Sequence, residues 1–126
     1  MLRRIVKNNP SITDLENDLK VLVNEIIEKL KPKAIILAGS IARGKFIRDM
    51  NDIDMFLIVE KINYRTLLKA VKDVNVEITM YTYDEALESI KRGNQFVKDA
   101  IENGILLLGR EILDRIRHSS EIHSKI

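Results

Sequence analysis

The stretch Leu37-Ala38-Gly39-Ser40-Ile41-Ala42-Arg43-Gly44, followed by Asn51-Asp52-Ile53-Asp54-Met55, decides how this chain is read. An apolar run ends in Gly39-Ser40, and a short basic loop leads to two aspartates one residue apart. Those aspartates open a second apolar run that continues to Val59. On a strand, residues i and i+2 point to the same face about 6–7 Å apart, so Asp52 and Asp54 converge on one region. Two carboxylates on one face of an oily strand are costly unless a cation sits between them. Mg²⁺ suits such oxygens, since it takes one or two carboxylates together with substrate phosphate oxygens. Gly39-Ser40, at a strand-to-helix turn, supplies helix N-terminal N–H groups for phosphate. Taken singly these residues are ordinary: Gly39-Ser40 a strand-ending turn, Asp52 an N-cap, Asp54 a solvent-facing strand position. The eleven residues between Ser40 and Asp52 let the chain turn back, so that the second strand begins beside the end of the first. Phosphate donors and metal ligands then share one cleft, which points to nucleotide chemistry.

The bulk composition agrees. A chain of 126 residues reads as one domain, 1–126, able to bury roughly two-thirds of its unfolded surface. Hydrophobic residues make up 45% and charged residues 32%, which excludes disorder as the default. No apolar run is long enough to span a bilayer and no signal-peptide core is present, so a cytoplasmic protein is expected. The absence of cysteine excludes disulfides and thiolate metal sites. A formal charge of +2 with interleaved acids makes no strong case for direct nucleic-acid binding.

Along the chain, residues 1–12 read as a basic, irregular leader. Thr13 and Glu16 carry a capping-box spacing. Leu15, Leu19, Leu22, Ile26 and Leu30 then recur at helical intervals up to Pro32, predicting a helix over 14–30. Ala34–Ala38 is a short apolar strand, residues 40–44 a brief helix, and 53–59 a strand. Asn63 reads as the N-cap of a helix carrying Leu67, Leu68 and Val71. From Val74 to Tyr83 the pattern alternates, with Val74, Val76, Ile78 and Met80 on one face and Asn75, Glu77, Thr79 and Tyr81 on the other. Helices over 84–92 and 95–103, a strand over 105–108 and a polar helix or tail over 110–126 complete the reading. Ile112, Leu113 and Ile116, with Ile122 and Ile126, leave an apolar stripe that either covers the protein's own core or docks on another chain. Tyr81 and Tyr83, assigned to one strand face, either stack on a base or simply pack. His118 and His123 lie in the polar tail without a supporting acid pattern, and no glycine-rich Walker loop is present.

Gly39-Ser40-Ile41-Ala42-Arg43-Gly44 with Asp52-Ile53-Asp54 resembles the signature of the polymerase-beta-type nucleotidyltransferase superfamily, and the small size resembles its minimal (MNT) branch. The resemblance covers about residues 14–109. It implies an α/β (α+β) fold, a mixed twisted sheet flanked by helices. It also implies two Mg²⁺ ions and transfer of a nucleoside monophosphate from an NTP, with ATP the expected donor, to an acceptor hydroxyl. On that carry-over Gly39, Ser40 and Arg43 bind the nucleotide, and Asp52 and Asp54 hold the metals. The family's third carboxylate falls most simply on Glu77, with Asp73, of the same parity, as the fallback. Glutamate replaces the more usual aspartate there, and Asn51 stands where serine often precedes the first acid. Lys45 and Arg48 share the loop and could offset triphosphate charge. Many proteins of this branch resemble antitoxins that add AMP to a HEPN-domain toxin, which implies a HEPN-type protein partner. The rival reading is a non-catalytic binding module that keeps the fold and acts by contact alone. A transferase for a small molecule such as an aminoglycoside is disfavoured, because the chain is short for a separate acceptor-binding domain.

Overall fold

The alternating apolar segments pair into one five-stranded mixed sheet of order β3-β4-β2-β1-β5. The strands are β1 (Ala34–Ala38), β2 (Ile53–Ile58), β3 (Thr66–Val71), β4 (Val74–Tyr81) and β5 (Ile105–Leu108). A computed structural model provides these coordinates and describes residues 2–124, with side chains described as far as residue 119. β1 runs antiparallel to both β2 and β5, β3 and β4 form an antiparallel hairpin, and β2 and β4 are parallel. The helices are α1 (Leu2–Asn8), α2 (Glu16–Leu30), α3 (Gly39–Ala42), α4 (Tyr83–Lys91), α5 (Gln95–Asn103) and α6 (Arg110–Ser124), with a 3₁₀ segment over Pro10–Leu15. Six helices on a mixed five-stranded sheet make an α+β fold of the polymerase-beta-like nucleotidyltransferase type.

Both faces of the sheet are covered, but unequally. On the first face, Ile35, Leu37, Met55, Leu57, Val76 and Ile78 pack beneath α1, the 3₁₀ segment and α2. Leu19, Leu22, Val23 and Ile26 supply the α2 stripe, and the helix stops at Lys31 in a left-handed conformation (φ 46°) before Pro32. On the second face, Ala34, Ile36, Ala38, Phe56 and Ile58 pack against Ala86 of α4, Val97, Ala100 and Ile101 of α5, and Leu113 and Ile116 of α6. That second layer stops short of β3, where Thr66, Leu68 and Ala70 are exposed.

Four expectations are corrected. Residues 1–12 are not an irregular leader: Leu2, Ile5 and Val6 recur at helical spacing and are buried, so α1 is part of the core. Thr13 does not cap α2; its hydroxyl donates to the Pro10 carbonyl (3.3 Å), and the capping box lies instead at Thr82 and Glu85, opening α4. The helix expected after Asn63 is strand β3. Leu67, Leu68 and Val71 fit either period, and six register pairs with β4 decide for the strand. Tyr83 begins α4 instead of sharing the strand face with Tyr81, and Arg115 lies 5.1 Å from its ring centroid. The apolar stripe after Gly109 packs at home, with Leu113 and Ile116 fully buried and Ile112 against the same cluster. The side chain of Ile122 and all of Ile126 lie outside the described residues.

Candidate nucleotide site

The candidate site is built on one row of register partners running across the second face. Ala38 of β1 opposes Asp54 of β2, Asp54 opposes Glu77 of β4, and Glu77 opposes Leu68 of β3. Neighbouring strands lie about 4.8 Å apart, so Asp54 and Glu77 are held side by side. Both are half-buried, and Asp52, immediately before β2, is exposed. Burial pushes the Asp54 carboxyl above its ordinary range, and the charges of Glu77 and Asp52 push it further. Among the described residues none of the three has a cationic partner at ion-pair distance. No set of three acids or histidines is drawn together as a ready-made metal cluster among them.

The backbone after β1 meets this row directly. Gly39 has φ +67°, and a Cβ added there would overlap Asp54 Oδ2, with Asp54 Cγ at 3.4 Å. Only glycine combines that left-handed turn with so close an approach. Ser40, half-buried, follows in the first turn of α3, and its carbonyl accepts the Lys45 N–H at 2.9 Å. Strand geometry therefore brings Gly39, Asp54 and Glu77 to one end of the second face, with Ser40 next in the chain after Gly39 and Asp52 two residues before Asp54.

Two of the three basic residues of this segment are paired with acids. Arg43, at the C-cap of α3, is ion-paired with Asp99 of α5 at 2.6 Å. Arg48 donates to Asp14 and Asp73 and to the Ser11 carbonyl (2.8 Å), which ties the 45–51 loop to the β3–β4 turn and the 3₁₀ segment. That clamp engages Asp73, whose carboxyl Arg48 holds below its usual range, and leaves it in the hairpin turn before β4 starts. Lys45 is exposed. Asn51 closes the same loop: its Oδ1 accepts the Ile47 N–H and its N–H donates to the Ile47 carbonyl, both at 2.9 Å.

Three nearby residues carried no assignment from sequence. Thr79 follows Glu77 on the same face. Phe96, 39% exposed at the start of α5, meets Phe56 edge-on with ring centroids 6.1 Å apart, two positions along β2 from Asp54. Asn9 is buried behind α3. No motif marks any of them, because their surroundings are set by contacts distant in sequence. Tyr81 is fixed between Phe56 (5.4 Å) and the Arg65 guanidinium (4.3 Å), so it packs.

Residues 19–114, which contain this whole row, match the family described as nucleotidyltransferase domain. The chain belongs to that family. None of the curated proteins compared with this nucleotidyltransferase-domain chain matches it significantly. Nucleotidyl transfer is the general function this membership carries. Among the described residues no helix is long and apolar enough to cross a membrane.

Proposed function

We propose that this chain transfers a nucleoside monophosphate, AMP from ATP, to an acceptor hydroxyl, with Mg²⁺ held by Asp52, Asp54 and Glu77. The observation that carries the reading is the row Gly39–Asp54–Glu77: a tight glycine turn lies against one acid of a register-paired couple that lacks a counter-cation among the described residues. Two half-buried like charges on adjacent strands cost stability, and a donor set of hard carboxylate oxygens fits a divalent cation that completes its shell with water and phosphate. Bound there, the metal would neutralise the triphosphate and stabilise charge developing at the transferred phosphorus.

The chain's own part is positioning. Gly39 and Ser40 offer backbone N–H groups and a hydroxyl to the β- and γ-phosphates, and Arg43 stands beside them on its Asp99 pair. Phe96 presents an aromatic surface to the nucleobase from α5. The acceptor oxygen forms a bond to the α-phosphorus while the bridging bond to the β-phosphate breaks, and pyrophosphate leaves. The acceptor proton passes to Glu77, the carboxylate assigned as base. The proposed acceptor is a separate macromolecule, a HEPN-type toxin neutralised by added AMP, with the chain acting as its antitoxin. That setting rests on the resemblance to the minimal branch. A contact-only module would have no physical reason to keep Asp54 and Glu77 side by side.

Transfer of label from α-labelled ATP tests the assignment. Activity should collapse in Glu77→Gln and survive in Asp73→Asn. The reverse pattern overturns the role of Glu77, and failure of wild type to bind ATP with Mg²⁺ overturns the reading as a whole.

A further inference from the structure

We propose that Asn9 is a positioning residue for the nucleotide site, supplied by an N-terminal helical segment that lies outside the span matched to the family. The inference rests on the nucleotidyltransferase reading above and concerns how the glycine turn is held.

Asn9 is 3% exposed and is the one buried polar residue among those described. Its carboxamide makes three hydrogen bonds. Nδ2 donates to the Ile5 carbonyl (2.9 Å) of α1, which ends one residue before it, and to the Ile41 carbonyl (3.2 Å) in α3. Oδ1 accepts the Phe46 N–H at 3.3 Å. One side chain therefore grips both ends of the segment 41–46. The rest of that segment is locally tied, with Arg43 N–H on the Gly39 carbonyl (3.4 Å), Gly44 N–H on the Ile41 carbonyl (3.3 Å) and Lys45 N–H on the Ser40 carbonyl (2.9 Å). Ile41 and Phe46 anchor it with buried side chains on either side of the grip.

A four-residue helix has little stability of its own, and Gly39 enters it through a left-handed turn against Asp54. Something must fix where that turn points. Asn9 does so from behind, and α1 holds Asn9 in place through Leu2, Ile5 and Val6 in the core. The family match begins at residue 19, so this grip comes from outside the family's common span.

Two variants separate positioning from plain structural support. Asn9→Leu keeps the branched heavy-atom shape and deletes all three bonds, while Asn9→Asp keeps the acceptor for Phe46 and loses both donations. Leu22→Ala, in the α2 core, is the control that destabilises without touching the grip. In the full chain, amide exchange over residues 40–46 should quicken in both Asn9 variants while β1, β2 and β4 stay protected. ATP affinity with Mg²⁺ should fall about tenfold in Asn9→Leu, the equivalent of one buried hydrogen bond. Leu22→Ala should melt earlier and bind as wild type does. Unchanged exchange, or faster exchange with unchanged ATP affinity, overturns the positioning role. Equal loss of affinity in Leu22→Ala overturns it as well. Wild type failing to bind ATP overturns the function proposed above, and the exchange comparison still decides whether Asn9 holds the turn.

Discussion

Replacing Gly39 by alanine separates two effects that usually travel together. A side chain in the left-handed region costs about 1–2 kcal/mol, and Gly39 sits there with φ +67°. Its new methyl would also overlap Asp54 Oδ2, so the carboxylate has to swing by about 1 Å to regain ordinary contact. Gly93 provides the matched control: φ is +85° and no atom lies within 4 Å of its added Cβ. Gly93→Ala should therefore lower the melting temperature by a few degrees, the strain alone, and leave label transfer from ATP within about twofold of wild type. Gly39→Ala should show a similar thermal loss and a fall in transfer of about a hundredfold, the usual cost of misplacing a reacting group by about 1 Å. Melts by circular dichroism and turnover with α-labelled ATP, measured on both variants, decide the matter. Equal activity in the two variants would refute the claim that the Gly39–Asp54 approach matters to function.

Other outcomes follow from the same geometry. The folded-state carboxyl of Asp54 is raised above its ordinary 3.8, so its protonated form is the one that folding favours, and stability is lost as pH rises through the raised value. Asp54→Asn should therefore melt higher than wild type near pH 7, with the gap closing below about pH 4, while transfer is lost; a lower melt near neutrality would contradict the buried like-charge pair. Mg²⁺ should raise the wild-type melt and leave Asp54→Asn unmoved. Arg48 holds Asp14 and Asp73 below their ordinary values, and that contribution is present above the ordinary carboxylate range and fades as pH falls through the lowered values. Arg48→Ala should thus melt earlier near neutrality, with the difference from wild type vanishing in strong acid and shrinking in high salt. Leu113→Ala should cost about 2–4 kcal/mol by urea unfolding, and truncation after Gly109 should cost more, since Leu113 and Ile116 of α6 are both fully buried.

Part of the candidate site's geometry was readable before the fold. Asp52, Asp54 and the Gly39 turn announce themselves because acids on an apolar strand and glycine at its end are locally conspicuous. The strands β1, β2, β4 and β5 were legible for the same reason: short apolar or alternating runs bounded by turn residues. Local pattern failed where a long-range partner decided the structure. Leu67, Leu68 and Val71 carry a spacing that both helix and strand accept, and only the waiting edge of β4 resolves it. Neither the motif position of Arg43 nor the loop position of Arg48 revealed its partner, yet one is drawn to Asp99 on α5 and the other to Asp14 and the hairpin turn, far off in sequence. Asn9 gave no signal, since a polar residue in a basic segment reads as surface until its three partners are seen.

The parallel pairing of β2 with β4, in a sheet otherwise antiparallel, has a bearing on how the molecule assembles. Glu77 is carried by β4 of the β3–β4 hairpin, which follows β2 in the chain, so the two acids come together only when that hairpin docks on β2 as a unit. Such a closure is non-local and slow relative to forming the hairpin itself. It is also the step at which the two carboxylates are forced into proximity, so electrostatic repulsion adds to its activation barrier. A divalent cation present during refolding would screen that repulsion, and the late phase should quicken with Mg²⁺ in the wild type but not in Glu77→Gln. The pair proposed to carry the chemistry would then also set the tempo at which the sheet closes.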